Sequence, residues 1–483
     1  MKKRMYINGE WIESESGDTF EIYSPATGEV IAELPKGNTE DVRKAIYAAA
    51  AARNKFRGMS PFARAAICHK IADILKAQKK EIARELTLEQ GKPYRTEALL
   101  EVETTIELFR MAAEDIKRLE TSVIPSRDIN KRILTIRQPK GVYGIITPWN
   151  FPLAIPAEYI APALVSGNTI VWKPASYTSG IAVRLAECLD RAGVPRGVLN
   201  LVTGPGGIVG NEIAANPKID AIGLTGSTIT GEEVAKKAAG KSLLLELGGN
   251  GPTIVLEDAD IQRAAEKAAF GCFFDAGQTC ASTERILVSK KIHEEFVERV
   301  IDITSGIKLG DPLNDDTTMG PMNNEDTAAK VDRHIKDALE KGAKILYGGK
   351  RAKNFPTNLY YEPTVIDGIS EDMLLNTEET FGPVAAIMTF SDYDEAIEIS
   401  NRSILGLQSA LFTSSLKNAF YFAEKIQTGN VVVNDSSVYW EAHTPFGGCG
   451  GKRSGYGRLG GKNTIMEMTD LKTIVIDLEN VRK

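Results

Sequence analysis

The sequence predicts an α/β protein with two doubly wound parallel-sheet domains and a small β-ribbon arm beside them. Three observations carry this. From Val142 onward short apolar strands alternate with helices, a pattern that builds parallel sheets. A second alternation of similar size begins near Thr253. Two further strand-like segments, 131–139 and 468–481, lie outside both alternations. At 483 residues the chain has room for about three domains and a large core.

The elements follow in chain order. Amphipathic helical patterns cover 41–56, 61–86 and 94–120; in the last, Leu99, Val102, Ile106, Phe109 and Ala113 recur at helix spacing. The first alternation reads "VYGIIT", then a loop and helix, "TIVWKP", and the helix "TSGIAVRLAECLDRAGVP". It continues with "GVLNLVTG", a short helix to Ala215, "DAIGLTGS", a helix through Ala239, and "LLLELGG". The second runs through "TIVLE", "RILVS", "TVID", "VAAIMTF" and "GNVVVN". The segments 131–139 and 468–481 alternate apolar and polar side chains, as arms that pair between subunits would, or as edge strands on their own domain.

Composition narrows the function classes. The chain is 43% hydrophobic and 25% charged, as soluble enzymes are. A net charge of -6 gives no footprint for nucleic acid or anionic membrane. The start "MKKRMYINGEWIESESG" lacks an apolar segment behind its positive charges, and no apolar run is long enough to span a bilayer. Five cysteines without CxxC spacing and four scattered histidines predict neither a disulfide framework nor a metal site. A cytoplasmic, reduced protein is expected.

One cysteine stands apart. Cys280 lies in "GQTCAS", a small polar turn, whereas a structural cysteine usually sits among apolar neighbours. A nucleophilic cysteine needs access and a nearby base. "LELGGNGP" places Glu246 at a strand end before two glycines, as a general base or as a solvated glutamate. "TPWNFP" holds Trp149 and Asn150 between prolines, where the amide can serve the turn or donate to a developing oxyanion. "LTGSTITG" follows a strand and opens a helix; Gly226, Ser227 and Gly231 there suit a phosphate or an ordinary helix cap. "EETFGP" offers Glu379 and Phe381 just before a strand, and "GPGGIVG" at 204–210 is glycine-rich without matching GxGxxG.

The ordered set PWNFP, WKPAS, TGST, ELGG, GQTCAS, EETFGP, PFGG closely resembles the aldehyde dehydrogenase superfamily, from "YINGEWIES" to "LKTIVI". The resemblance implies oxidation of a small-molecule aldehyde to an acid through a thiohemiacetal on Cys280, with Asn150 and the Cys280 amide holding the oxyanion. Glu246 would activate water to hydrolyse the thioester; acylating members that use coenzyme A lack this glutamate. For the cofactor, Lys173 and Ser176 in "WKPAS" match adenosine-ribose contacts, Ser227 a phosphate contact, and Glu379 the nicotinamide-ribose contact, with Phe381 beside it. Serine at 176, where NAD-preferring members often carry glutamate, leaves NADP tolerated or preferred over NAD. A non-redox thiol esterase or a non-catalytic protein on this fold are the other classes this resemblance allows.

By resemblance, residues 1–119 with 140–248 form the cofactor-binding domain, 249–441 the catalytic domain, and 120–139 with 462–483 an oligomerisation ribbon of a homodimer or homotetramer. Glu158 stands where semialdehyde-oxidising relatives have arginine, and the C-terminal region resembles the vanillin-like and lactaldehyde-like branches. Tyr439, Trp440 and Phe446 are candidates for the substrate channel. Two departures are visible: the loop 449–453 is longer than in most members, and Leu459 replaces a common glutamate.

Overall fold

The computed structural model describes residues 2–479. An eight-stranded sheet forms one half. Its parallel centre runs, in space, Leu199–Leu201, Thr169–Lys173, Val142–Ile146, Ala221–Thr225 and Ser242–Glu246. The chain starts this centre at Val142–Ile146 and builds outward on one side. It then returns to lay Ala221–Thr225 on the other flank of that first strand. The reversal makes a topological switch point, and the loops at 147–150 and 226–227 open there, where α/β sheets bind ligands. These strands are apolar on both faces because helices cover both sides. Gly455–Tyr456 closes one edge, antiparallel to Ser242–Glu246, while Met5–Ile7 and Glu10–Ile12 close the other.

Helix Ala154–Ser166 is buried over its whole length, packed between helices Pro61–Ala77 and Leu99–Asp115. Its all-round apolar sequence suits that position, with Glu158 the one carboxylic side chain in it. Helix Thr39–Arg57 starts on a capping box of Asn38 and Asp41, and Pro61–Ala77 starts on Ser60 with a proline in its first turn.

Two helices differ from the expectation. The pattern at 61–86 is two helices, Pro61–Ala77 and Lys79–Gln90, broken at Gln78. The apolar period carries across the break, so periodicity alone could not show it. The pattern at 94–120 is helix Leu99–Asp115, preceded by a wide turn at Tyr94–Ala98 and followed by a short one ending at Arg118.

The second sheet has seven strands, in the order Lys344–Tyr347, Thr364–Asp367, Val384–Phe390, Arg285–Ser289, Pro252–Val255, Gln408–Phe412, Asn430–Val433. All pair in parallel except the antiparallel edge Lys344–Tyr347. That edge and Gln408–Phe412 are absent from the sequence-based expectation; the latter opens on Gln and Ser yet is wholly buried. Each sheet carries an apolar core on both faces.

The segments expected as two arms pair with each other. Lys131–Pro139 and Thr469–Asp477 run antiparallel along their full length, with Val123–Ile124 on the far side, in a three-stranded sheet. Helix Gly461–Glu467, inside the range expected for the ribbon, packs instead on helices Leu99–Asp115 and Ala154–Ser166. The end of that range, 480–483, lies outside the described residues. Among the described residues no helix is long and apolar enough to cross a membrane, and no group of His, Cys, Asp or Glu is placed to hold a metal.

Candidate active site

The turn that carries Cys280 is shaped by strained backbone. Asp275, Ala276 and Gly277 have φ of 52°, 52° and 74°, a conformation costing roughly 1–3 kcal/mol for a side chain with a Cβ. At Gly277 no other residue fits, because a Cβ would come 2.1 Å from the Gly382 carbonyl oxygen. A polar scaffold holds the turn. Gln90 donates to Asp275 Oδ1 at 3.0 Å, and the Asp275 amide donates to Glu97 at 3.2 Å. Gln278 donates to the Asp275 carbonyl at 2.9 Å and accepts from the Asn323 amide at 2.9 Å.

Beneath it lies a fully buried ion cluster. Lys92 pairs with Glu101 at 2.7 Å and Asp275 at 3.6 Å, and donates to the Asn150 carbonyl at 2.8 Å. Glu101 in turn accepts the Leu153 and Ala154 amides, fixing the start of the buried helix. One lysine therefore ties the Asn150 loop to the Cys280 turn. These side chains were not found from sequence, because their charges lie scattered between positions 90 and 275.

Glu246 ends its strand beside Cys280 and Thr225, and its Oε1 is buried without a hydrogen-bond partner among the described residues. Burial pushes Glu246 up to about 8. Burial, then the neighbouring Glu246, raises the Cys280 thiol well above its usual value. Asn150 is buried; its Nδ2 donates to the Gln278 carbonyl at 2.9 Å, and the side chain faces the cavity beside Cys280. An amide nitrogen has two protons, so one remains for an oxygen bound there.

Two cavities meet at Cys280 and Glu246. The first, about 280 Å³, lies at the switch point and is walled by Trp149, Asn150, Gly226, Ser227, Glu379 and Phe381, with Lys330 at its rim. Ser227 caps helix Thr228–Lys237, whose N-terminus faces this space. Glu379 accepts the Gly249 amide at 2.8 Å. Phe381 is strained at φ 60° and meets Trp149 edge-on at 5.6 Å. Glu284 holds that strain by accepting the Thr380 and Phe381 amides at 2.8 and 3.0 Å. It sits just before the buried strand Arg285–Ser289, far along the chain from these partners, and gave no sequence signal.

Lys173 and Ser176 lie outside the walls of this cavity, at the C-terminal end of the next strand. Ser176 donates to the Gly204 carbonyl at 3.2 Å. Lys173 is buried with no acidic partner among the described residues, and burial lowers its ammonium to about 8. Gly231 does not face the cavity: a Cβ there would strike Leu247 at 2.2 Å, so its role is helix-to-strand packing rather than ligand approach.

The second cavity, about 240 Å³, opens on the opposite side of Cys280 and is walled by Phe151, Phe274, Trp440 and Phe446 together with Glu158. Tyr439 does not line it; this side chain is half exposed and donates to Glu441 at 2.6 Å. Leu459 is buried and exchanges backbone hydrogen bonds with Phe446 at 2.8 and 2.9 Å, so it fixes one cavity wall. The long loop is tied down by Arg453 to Glu232 at 2.7 Å and by Lys452 to the Ser403 carbonyl at 2.7 Å.

Comparison with known proteins agrees with this architecture. The sequence model of the aldehyde dehydrogenase family matches residues 11–474. The chain belongs to the aldehyde dehydrogenase family. It is 39% identical to a lactaldehyde dehydrogenase of Methanocaldococcus jannaschii, over 98% of this chain and 100% of that one. It is 38% identical to the NADP(+) succinate-semialdehyde dehydrogenase of Escherichia coli, over 99% and 98% of the two chains. The crystal structure of an NAD-dependent aldehyde dehydrogenase from Sinorhizobium meliloti superposes with a TM-score of 0.96 at 37% identity, covering 99% of this chain and 95% of the other. In this aldehyde dehydrogenase family member the GQTC and ELGG motifs thus converge on one thiol–carboxyl pair.

Proposed function

We propose that this chain oxidises an aldehyde to its carboxylic acid with NAD or NADP, using Cys280 as nucleophile, Glu246 as base and Asn150 as oxyanion donor. The observation that carries the reading is the meeting of two cavities at one thiol–carboxyl pair. The switch-point cavity fits a dinucleotide, with a helix N-terminus at Ser227, the Glu379 carboxyl and the Trp149–Phe381 pair in one wall. Lys173, an unpaired buried ammonium beside the uncharged Ser176, would suit a ribose 2′-phosphate, so NADP is accepted as well as NAD.

An aldehyde entering from the Phe151 and Trp440 side meets the Cys280 sulfur. Glu246 takes the thiol proton as sulfur attacks the carbonyl carbon. The carbonyl oxygen becomes an oxyanion, and the free Asn150 N–H with the Cys280 amide stabilises it. Glu379, with Phe381 and Trp149 beside it, would hold a nicotinamide cofactor, which would supply the hydride acceptor needed for this oxyanion to collapse to a thioester. Once Glu246 has passed the thiol proton to solvent, it removes a proton from water, which attacks the thioester carbon and frees the acid and the Cys280 thiolate.

The relatives oxidise, by name, lactaldehyde and succinate semialdehyde, which sets the panel for the test. Purified protein is offered benzaldehyde, vanillin, lactaldehyde, succinate semialdehyde and hexanal with NAD and NADP in parallel, following reduced nicotinamide. Turnover that disappears in Cys280→Ala supports the reading; turnover retained in that variant, or seen with no aldehyde, rejects it. The sheet centred on Val142–Ile146 is assigned to the cofactor, the sheet centred on Pro252–Val255 to catalysis, and the three-stranded sheet to a homodimer or homotetramer contact.

A further inference from the structure

Glu158 is a buried wall residue of the substrate-side cavity to which the mechanism gives no role. It sits in the middle of a wholly buried helix, is 9% exposed, and makes no hydrogen bond or ion pair among the described residues. Thr279 Oγ1, in the same wall and next to Cys280, is also buried without a partner. A buried polar group without a partner costs free energy that a ligand can return by hydrogen bonding.

We propose that Glu158 and Thr279 form a subsite for an uncharged hydroxyl group of the substrate, so that the enzyme prefers hydroxylated aldehydes. This rests on the reading of Cys280 as the nucleophile in the same cavity. The walls contain no lysine, arginine or histidine, so nothing there would balance a substrate carboxylate. Lys92, which pairs with the wall residue Glu101, is spent on Glu101, Asp275 and the Asn150 carbonyl. For an ammonium substrate the walls offer Glu97, Glu101, Glu158 and Glu246, but Glu101 is paired with Lys92, and burial holds the other three carboxyls above their usual range. A neutral carboxyl both donates and accepts, which complements a hydroxyl.

The test is the ratio of kcat/KM for glyceraldehyde to that for propanal, in the parent, Glu158→Leu and Glu158→Gln, with 3-aminopropanal and succinate semialdehyde alongside. A parent ratio of roughly ten to a hundred is expected, falling to near one in Glu158→Leu. Glu158→Gln should keep most of it, since an amide also donates and accepts. A parent ratio near one, a ratio unmoved by leucine, or a preference for the amino- or carboxylate-bearing aldehyde overturns the proposal. Calorimetry of glyceraldehyde binding to Cys280→Ala, with and without Glu158→Leu, reads the subsite apart from turnover. Binding weakened about tenfold by leucine supports the subsite even where the proposed reaction fails, and equal binding overturns it.

Discussion

Burial makes both Cys280 and Glu246 harder to ionise. Glu246 raises the thiol further, whereas contact with the thiol eases ionisation of the carboxyl, and burial of Glu246 sets the pH behaviour. Glu246 acts as a base only when ionised, and burial places it at about 8. A raised carboxyl is protonated below that value, so activity should climb as pH rises through about 8 and fall away beneath it. In Glu246→Gln this rising limb, read from kcat between pH 6 and 9, should vanish. The amide can neither take the thiol proton nor activate water, so the variant should release about one equivalent of reduced nicotinamide per site more slowly than the parent, and then turn over roughly 10²- to 10⁴-fold more slowly. A burst without steady turnover is the diagnostic, because a merely destabilised enzyme would lose both. Asn150→Ala should lower kcat by about 10²- to 10³-fold with little change in KM, since its donated proton matters only once the oxyanion forms.

The Asn150 loop and the Cys280 turn come from different sheets, and Lys92 joins them from beneath, alongside the hydrogen bond from Asn150 to the Gln278 carbonyl. Lys92→Met would leave Glu101 and Asp275 buried without their cation, a loss of about 3–5 kcal/mol in denaturant unfolding. Its kcat should drop with KM nearly kept, while Lys92→Arg recovers part of both. This cluster also marks where the sequence stops being legible. The parallel strands were readable because "VYGII" and "AIGLT" are unbroken apolar runs between turn residues. Cys280, Glu246 and Asn150 were readable because each sits in a short motif at a strand end or turn. Lys92, Glu97 and Glu101 resemble an ordinary charged helix face, and only the fold brings Asp275 to them. Glu284 was hidden for the same reason, its backbone partners at Thr380 and Phe381 lying far along the chain. Gly231 is ambiguous in sequence, because a glycine that packs a helix on a strand and one that admits a phosphate look alike.

At the scale of the whole molecule, the three-stranded sheet leaves one edge open. Thr469–Asp477 pairs with Lys131–Pro139 on one side only, so a nine-residue row of backbone donors and acceptors faces outward. Leu471 and Val475, each 57% exposed, share one face of that strand, and Val123 adds an 81% exposed side chain to the same small sheet. Long open edges with apolar side chains invite strand pairing unless something covers them, and here Asp470 and Lys472 are the only charges interrupting the central part. A second copy would extend the sheet and bury these side chains, which fits the proposed homo-oligomer. Leu471→Lys combined with Val475→Lys should therefore shift sedimentation toward the monomer mass while leaving circular dichroism unchanged, because both side chains are solvated in the single chain. If the double variant sediments as the parent does, the contact lies elsewhere on the molecule.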